Sequence, residues 1–271
     1  MFRLVLFLVL IFCFPPSRLQ AQPRESRSAG ATSAPAGVER LIRQGDEALE
    51  AVTEDNAAKA AAEYETALRL DPQNYEANWK AARAYCLILD FKTRILLTEK
   101  DEDKPALREL GEKAEAFGAR AYAANPRGLD ALVWYTGSIA YHAAGTGILK
   151  AIYQGTDGKI ESLAAQLISL DPVYHGAFGY RILGRLYLKA PFPKGNKRKA
   201  AEYLEKAVAA YPPDLQNHYW LGAAYLSRKK FPEAQRQFQY VLDHPPQEIE
   251  AHFSGLLKDA ARLALDSLPP R

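Results

Sequence analysis

Cysteine is nearly absent from this chain, which contains only Cys13 and Cys86. Cys13 lies in an apolar run near the N-terminus, and if that segment is removed Cys86 alone remains. One cysteine cannot form an internal disulfide, so side-chain packing must stabilise the fold. Cys86 falls on a predicted helix, where we expect a buried and unreactive thiol.

Catalytic and metal-binding signatures are also missing. The five histidines show no HExxH spacing, and the chain has no CxxC, Gly-x-Ser-x-Gly or P-loop motif. Gly145-Thr146-Gly147 lacks the flanking strand that a nucleotide site requires, so we interpret it as a helix break. These absences argue against an enzyme and predict neither a cofactor nor a metal site.

The chain also has no large excess of basic over acidic residues or of acidic over basic ones. The chain has 35 basic and 32 acidic residues, and removing residues 1–21, which hold Arg3 and Arg18, leaves 33 basic and 32 acidic ones. A mixed, nearly neutral surface lacks the electrostatic footprint of a nucleic-acid-binding protein. Valine and isoleucine are sparse while alanine is abundant, which favours helices over sheets.

One segment is strongly hydrophobic. Arg3 precedes the apolar run Leu4–Phe14, Pro15-Pro16 ends it, and Ala21 offers a small residue at a cleavage point. This pattern is typical of a secretory signal peptide over residues 1–21 and predicts a periplasmic or secreted protein. The run is shorter than the roughly 20 residues that span a bilayer.

Two alternatives for this N-terminus stay open. Lipid attachment at Cys13 would make a lipoprotein, although the bulky Phe12 fits poorly just before a lipidated cysteine. An uncleaved N-terminal anchor is the other.

Residues 22–37 are rich in Ser, Ala, Arg, Pro and Gly and predict a disordered tether, because they bury too little apolar surface to offset the entropy of ordering.

The strongest positive signal is an internal repeat ending at Pro246. Positions 7, 8, 11, 20, 24, 27 and 32 of a 34-residue frame are Leu221, Gly222, Tyr225, Ala234, Phe238, Val241 and Pro246. This is the spacing of the tetratricopeptide repeat (TPR). Small residues at positions 8 and 20 let two antiparallel helices approach, and the proline ends the second helix.

The same pattern recurs upstream with a changing period. Prolines that end second helices stand at 72, 126, 172, 212 and 246, so successive separations are 54, 46, 40 and 34 residues. The excess falls mainly at Phe91–Leu110, Gly145–Lys159 and Ala190–Gly195. We therefore predict an all-α, TPR-like helical-hairpin solenoid over residues 38–267, with inserted loops and a C-terminal capping helix. The predicted helices span 38–52, 56–70, 75–90, 105–124, 129–144, 147–170, 174–189, 196–210, 214–228, 231–243 and 247–266.

Aromatic side chains form the first group of candidate binding residues. Trp134, Tyr135 and Tyr141 stand at helical spacing, which fits either core packing or an aromatic-lined pocket. In the loop between two predicted helices, two prolines flank Phe192 and Lys194 follows them. A rigid loop that presents Phe192 loses little entropy on binding, but Phe192 fits a solenoid groove equally well.

The glycine-rich segment 171–187 supplies the second group, His175, Tyr180, Arg181 and Arg185. Arg181 and Arg185 are four residues apart and therefore share one helix face. Such a pair can hold a carboxylate through bidentate hydrogen bonds. The alternative is an ion pair inside the solenoid or on its surface.

Several stretches resemble the T component of TPR-associated TRAP transporters. They are Trp134-Tyr135, the segment from Asp171 to Tyr187, and Ala190–Asn196, and the resemblance covers roughly residues 40–260. It implies an extracytoplasmic helical-repeat protein that partners a periplasmic solute-binding protein of a TRAP transporter. It also implies a hydrophobic or organic-acid ligand and assembly as a homotrimer, and it carries no catalytic residues.

The leading hypothesis is therefore a periplasmic transport accessory that binds a solute-binding partner and a small organic or hydrophobic ligand. The alternative is a generic TPR scaffold that grips a peptide or a cell-envelope protein. Neither hypothesis invokes catalysis or nucleic acid, and membrane contact would arise only through the N-terminus.

Overall fold

Alanine-rich helical segments alternate with short polar turns throughout the part of the chain that the computed structural model describes, residues 36–97 and 100–269. The twelve α-helices within these ranges are α1 Ala36–Ala48, α2 Glu54–Leu70, α3 Tyr75–Thr93, α4 Lys104–Ala124, α5 Leu129–Thr146, α6 Ile148–Tyr153, α7 Thr156–Leu170, α8 Tyr174–Lys189, α9 Lys197–Ala210, α10 Leu215–Ser227, α11 Phe231–Asp243 and α12 Ser254–Asp266. No strand occurs in these ranges. The all-α prediction is therefore confirmed.

The predicted signal peptide at 1–21 and most of the predicted tether at 22–37 lie outside the described residues. Helix α1 begins at Ala36, two residues before the predicted start. None of the helices described has both the length and the hydrophobicity needed to cross a membrane.

Asx-proline pairs end three of the helices. In each pair the Asp or Asn side-chain Oδ1 accepts a hydrogen bond from the backbone N–H two residues later, as Asp171 does from Val173 at 3.0 Å. Asp71 accepts from Gln73 at 3.3 Å in the same way. The proline that follows cannot continue the helix, so the chain reverses at each of these points.

Consecutive helices pack against one another, and the small residues of the repeat lie where they pack. A Cβ atom added to Gly222 of α10 would lie 2.7 Å from a ring carbon of Phe238 in α11. One added to Gly184 of α8 would lie 2.4 Å from Leu204 in α9. The small residue of one helix therefore receives the large residue of the next, as the TPR spacing requires, and the predicted helical-hairpin solenoid is confirmed.

The insertion predicted at Phe91–Leu110 joins the N-terminal half of the fold to its C-terminal end. Helix α3 continues to Thr93, and residues 94–96 then form a left-handed turn with φ between 48° and 56°. Ile95 of this turn is buried in one apolar cluster with Leu215 of α10 and Leu257 of α12. Left-handed backbone is unfavourable for a β-branched residue, and burial of the Ile95 side chain offsets that cost.

Two predicted helices are interrupted. The helix predicted at 147–170 is divided into α6 and α7 at Gly155. Gly155 has a φ of 77°, a left-handed conformation that glycine adopts readily and that ends a helix. The helix predicted at 247–266 begins as a 3₁₀ turn, Glu248–Phe253, before α12. Both corrections concern positions where the backbone leaves the α conformation within an apolar pattern.

Candidate binding cavity

Helices α3, α5 and α8 line a cavity of about 1390 Å³, and the 3₁₀ turn Glu248–Phe253 lines it as well. The lining side chains include Trp79, Arg83, Cys86 and Asp90 from α3, Trp134, Ala140 and Tyr141 from α5, and His175, Phe178, Arg181 and Arg185 from α8. The walls therefore combine aromatic rings with charged groups. A concave site of this composition can bind an organic ligand or an extended segment of a partner.

A row of aromatic and cationic side chains crosses the three helices. The Arg83 guanidinium lies 5.9 Å from the Trp134 ring centroid. The Trp134 and His175 rings meet edge to face at 5.0 Å, and the centroids of His175 and Phe178 are 6.1 Å apart. These contacts fix the ring planes relative to one another, so one side of the cavity has a defined shape.

Left-handed backbone places His175 in this row. His175, Gly176 and Ala177 have φ values of 51°, 67° and 58° at the start of α8. Burial, with the charges of Arg181 and Arg83, lowers the pKa of His175 to about 3. The imidazole is therefore neutral at physiological pH and contributes no charge to the cavity.

Arg181 forms a buried ion pair inside the solenoid. Its Nη1 donates to the Asp214 carboxylate, to the Asn217 amide oxygen and to the Gly176 carbonyl at 2.8–2.9 Å. The side chains of Arg181 and Asp214 are only 5% and 1% exposed. Of the two interpretations of Arg181, the internal ion pair is the one that the structure contains.

Arg185 lies one turn further along α8 and lines the cavity. Its guanidinium stacks over the buried Trp220 ring at 4.4 Å, and Nη2 donates to the Ile95 carbonyl at 3.4 Å. Arg185 thus links α8 to α10 and to the left-handed turn after α3. The two arginines share a helix face, as predicted, but each contacts a different group.

A cluster of polar side chains lines the cavity between α3, α5 and the 3₁₀ turn. The Tyr141 hydroxyl donates to Asp90 Oδ1, and burial raises the pKa of Tyr141. The His252 ring nitrogen lies 3.8 Å from Asp90 Oδ2 and the ring contacts Phe91 at 5.6 Å. The C-terminal turn is therefore held against α3 by both polar and aromatic contacts.

The structure does not bring all candidate residues together. Tyr135 is buried in the core, where it packs on Gly118 and Tyr122, and neither it nor Tyr180 lines the cavity. Phe192 and Lys194 belong to a separate hollow of about 430 Å³.

Within that smaller hollow the two residues differ in their surroundings. Phe192 is 92% exposed. Lys194 bonds Asp157 and Glu161, at 2.8 Å each. These two carboxylates raise the pKa of Lys194. The ion pairs of Lys194 therefore hold the loop after α8 against α7.

Sequence reasoning missed the contribution of α3. Trp79, Arg83, Cys86 and Asp90 stand at intervals of four, three and four residues and so lie on one helix face. This spacing was a usable signal, but the aromatic and charged residues fit a surface face equally well. Cys86 is buried and burial raises its pKa, as expected of an unreactive thiol.

Metal coordination finds no support in the described ranges. Nowhere in them do three or more His, Cys, Asp or Glu side chains lie close enough to hold a metal ion.

Comparisons with solved structures identify the fold. TTC0263, a thermophilic TPR protein of Thermus thermophilus, aligns with a TM-score of 0.56 and 20% identity over 81% of this chain and 98% of that one. PilF of Pseudomonas aeruginosa aligns with a TM-score of 0.51 and 15% identity, over 86% and 88% of the two chains. At these identities the likeness shows the TPR fold alone.

A comparison with curated proteins gives no significant match. A family model does match, over residues 41–260, and its description is Regulator of microtubule dynamics protein 1-3. The matched range includes every helix that lines the cavity. This chain therefore belongs to the Regulator of microtubule dynamics protein 1-3 family and has a TPR fold.

Proposed function

We propose that this protein is a non-catalytic binding protein whose cavity between α3, α5 and α8 receives a ligand or a segment of a partner. The observation that carries the proposal is the row from Arg83 through Trp134 and His175 to Phe178, which three different helices hold in place. Partly buried aromatic rings beside a guanidinium give large contact energy per residue and lose little entropy on binding.

The protonation states in the cavity support binding rather than catalysis. A general acid or base works best with a pKa near the operating pH, whereas His175 has a pKa of about 3. Asp90 Oδ1 accepts a hydrogen bond from Tyr141, and Asp90 Oδ2 lies 3.8 Å from a ring nitrogen of His252. These two groups therefore position the walls of the cavity.

Site-specific photo-cross-linking tests this proposal. A photoreactive benzoylphenylalanine replaces Trp79 in the cavity or, as the control, Leu70, which is 59% exposed on α2 and does not line the cavity. We expect a specific adduct from position 79 after irradiation in the native host, and none from position 70. Adducts at position 70 alone would show that the outer surface binds and would overturn the proposal.

A narrower form of the proposal assigns the protein to transport. The resemblance to the T component of TPR-associated TRAP transporters supports a periplasmic solute-binding protein as the partner, a homotrimeric assembly and export by the N-terminal signal peptide. A TPR fold with a lined cavity is compatible with each of these.

Purification from the native host tests the transport form. We expect a solute-binding protein to co-purify, native mass spectrometry to show three copies of the chain, and the mature N-terminus to follow residue 21 or to be lipidated at Cys13. Co-purification of other envelope proteins without a solute-binding protein would favour a generic scaffold instead.

Membership of the family supports a second candidate, in which the partner is tubulin. Its description names the regulation of microtubule dynamics. Cosedimentation with polymerised microtubules tests this candidate, with Trp79→Ala as the cavity variant. If the wild-type protein pellets with microtubules and the variant does not, the result would favour tubulin over a periplasmic partner.

A further inference from the structure

Arg83 differs from the other arginines of the cavity in its surroundings. Arg181 bonds Asp214, and Arg185 contacts Trp220 and the Ile95 carbonyl. For Arg83 the described residues provide a ring contact with Trp134 but no carboxylate at ion-pairing distance.

Nearby acids do not supply the missing partner. Asp46 lies next to Tyr64, and the charge of Arg83 acts to lower the pKa of Tyr64. Asp46 accepts hydrogen bonds from Tyr64 at 2.8 Å and from Lys80 at 2.6 Å. Asp90 is two turns away on the same face of α3 and accepts from Tyr141. Glu50 lines the same cavity but is exposed to solvent.

The surroundings of Arg83 strengthen its attraction for an anion. The side chain is half-buried, so its charge is less screened than on the open surface. Trp134 and the neutral His175 lie beside it, and Trp79 is one turn before it on α3. A guanidinium matches a carboxylate in shape and can donate two parallel hydrogen bonds to it.

We propose that Arg83 binds the carboxylate of a small amphipathic acid whose apolar body lies against Trp79 and Trp134. This inference rests on the proposed use of the cavity for binding and specifies the chemical class of the ligand. Arg83 packs against Trp134 and has no carboxylate at ion-pairing distance among the described residues, so it suits one anionic group on an apolar body. The cavity volume of about 1390 Å³ exceeds the several hundred Å³ of an ordinary small-molecule site, so a long chain fits.

A pair of matched probes tests the inference on the full chain. Dodecanoate and dodecanol share an alkyl chain and differ in the anionic group. Two of the three tryptophans, Trp79 and Trp134, line the cavity, so their fluorescence reports binding directly. We expect wild-type protein to bind dodecanoate at least about tenfold more tightly than dodecanol, the range of a charge-assisted hydrogen bond.

Two variants assign this preference to the side chain. Arg83→Met keeps an unbranched stem without the charge and should bind both probes equally. Arg127→Met removes an exposed arginine outside the cavity and should keep the wild-type preference. Thermal unfolding followed by circular dichroism checks that both variants fold, and Arg83→Lys should restore part of the preference.

The outcomes separate this inference from the proposed function. Equal binding of both probes by the wild type, or an unchanged preference in Arg83→Met, would overturn the role of Arg83 while leaving the cavity as a binding site. Failure of the wild type to bind either probe would overturn the ligand class. The cross-linking experiment at position 79 would then decide independently whether the cavity binds anything.

Discussion

Arg181 and Asp214 form an ion pair in which both side chains are almost fully buried, with nitrogen and oxygen 2.9 Å apart. Burial raises the pKa of Asp214 in spite of the neighbouring Arg181 charge. Removal of one partner from such a pair leaves an uncompensated buried charge, which is far more costly than the loss of an exposed pair.

We therefore predict that Arg181→Ala lowers the free energy of unfolding by about 3–5 kcal/mol. The control is Arg198→Ala, which breaks a pair with Glu202 whose side chains are 79% and 52% exposed, and we expect a change of about 0–1 kcal/mol. Urea denaturation at pH 7 measures both. An Arg181→Ala protein within about 1 kcal/mol of wild type would contradict a structural role for this arginine.

The sequence placed Arg181 and Arg185 on one helix face but could not identify their partners. Asp214 is 33 residues away from Arg181 and Ile95 is 90 residues away from Arg185. Nothing in local spacing indicates which distant group fills either position. By contrast, the contact of Gly222 with Phe238 follows from the repeat, because position in a hairpin fixes its neighbours.

At the scale of the element, α4 and α5 approach closely because glycines lie between them. A Cβ atom on Gly111 of α4 would lie 2.8 Å from the backbone nitrogen of His142 in α5, and one on Gly118 would lie 2.8 Å from the Cα of Tyr135. Backbone atoms cannot move aside as a flexible side chain can. These two glycines therefore set the distance between the helices.

We predict that Gly111→Ala destabilises the protein by up to about 2 kcal/mol. Alanine improves helix propensity by about 1 kcal/mol, but overpacking against backbone costs about 1–3 kcal/mol and should exceed that gain. Gly158→Ala in α7 is the control, since a Cβ atom there has nothing within 4 Å, and it should be neutral or stabilising. The denaturation midpoints of the two variants give the comparison, and equal midpoints would contradict the close approach.

Glu250 attaches the C-terminal turn to α10. Its carboxylate accepts hydrogen bonds from the backbone N–H groups of Leu215 at 3.0 Å and Gln216 at 2.9 Å. Burial and the neighbouring Asp214 charge raise the pKa of Glu250 to about 7, although the two N–H groups and Arg181 act in the opposite direction. The folded protein therefore holds a proton on Glu250 at pH values where the unfolded chain has lost it.

Because the pKa is raised on folding, this group contributes stability below about pH 4.5 that is lost as pH rises through about 7. We predict that wild-type protein loses on the order of 1–3 kcal/mol of this contribution between pH 5 and pH 8. Glu250→Gln should show a flatter pH dependence over that window. Denaturation curves at both pH values test this, and identical slopes for the two proteins would contradict it.

The sequence predicted most helices well and failed where the backbone leaves the α conformation. Arg94, Ile95, Leu96, His175 and Ala177 have positive φ values, which none of these residue types predicts. Such conformations persist because tertiary contacts over-determine them. The cavity depends on both segments, so its composition could be predicted only in part.

At the scale of the whole molecule, the repeat specifies hairpins but not the contact between the turn at residues 94–96 and the C-terminal helices. Contact of the left-handed turn with the C-terminal helices, through Ile95 and Leu257, adds long-range packing that a plain repeat array lacks. The inserted residues after α3 make this contact, so the changing period noted in the sequence has a structural purpose. The cavity lies next to this contact and is lined by residues from both the N-terminal and the C-terminal half of the fold.

Native mass spectrometry of the protein purified from its host tests the central claim, that the cavity is where this protein binds. Ala140→Trp fills the cavity from α5, and Ala62→Trp places the same side chain on the exposed surface of α2. We predict a bound ligand or partner on the wild type and on Ala62→Trp, and its loss from Ala140→Trp with folding retained. Equal retention by both variants would contradict the account.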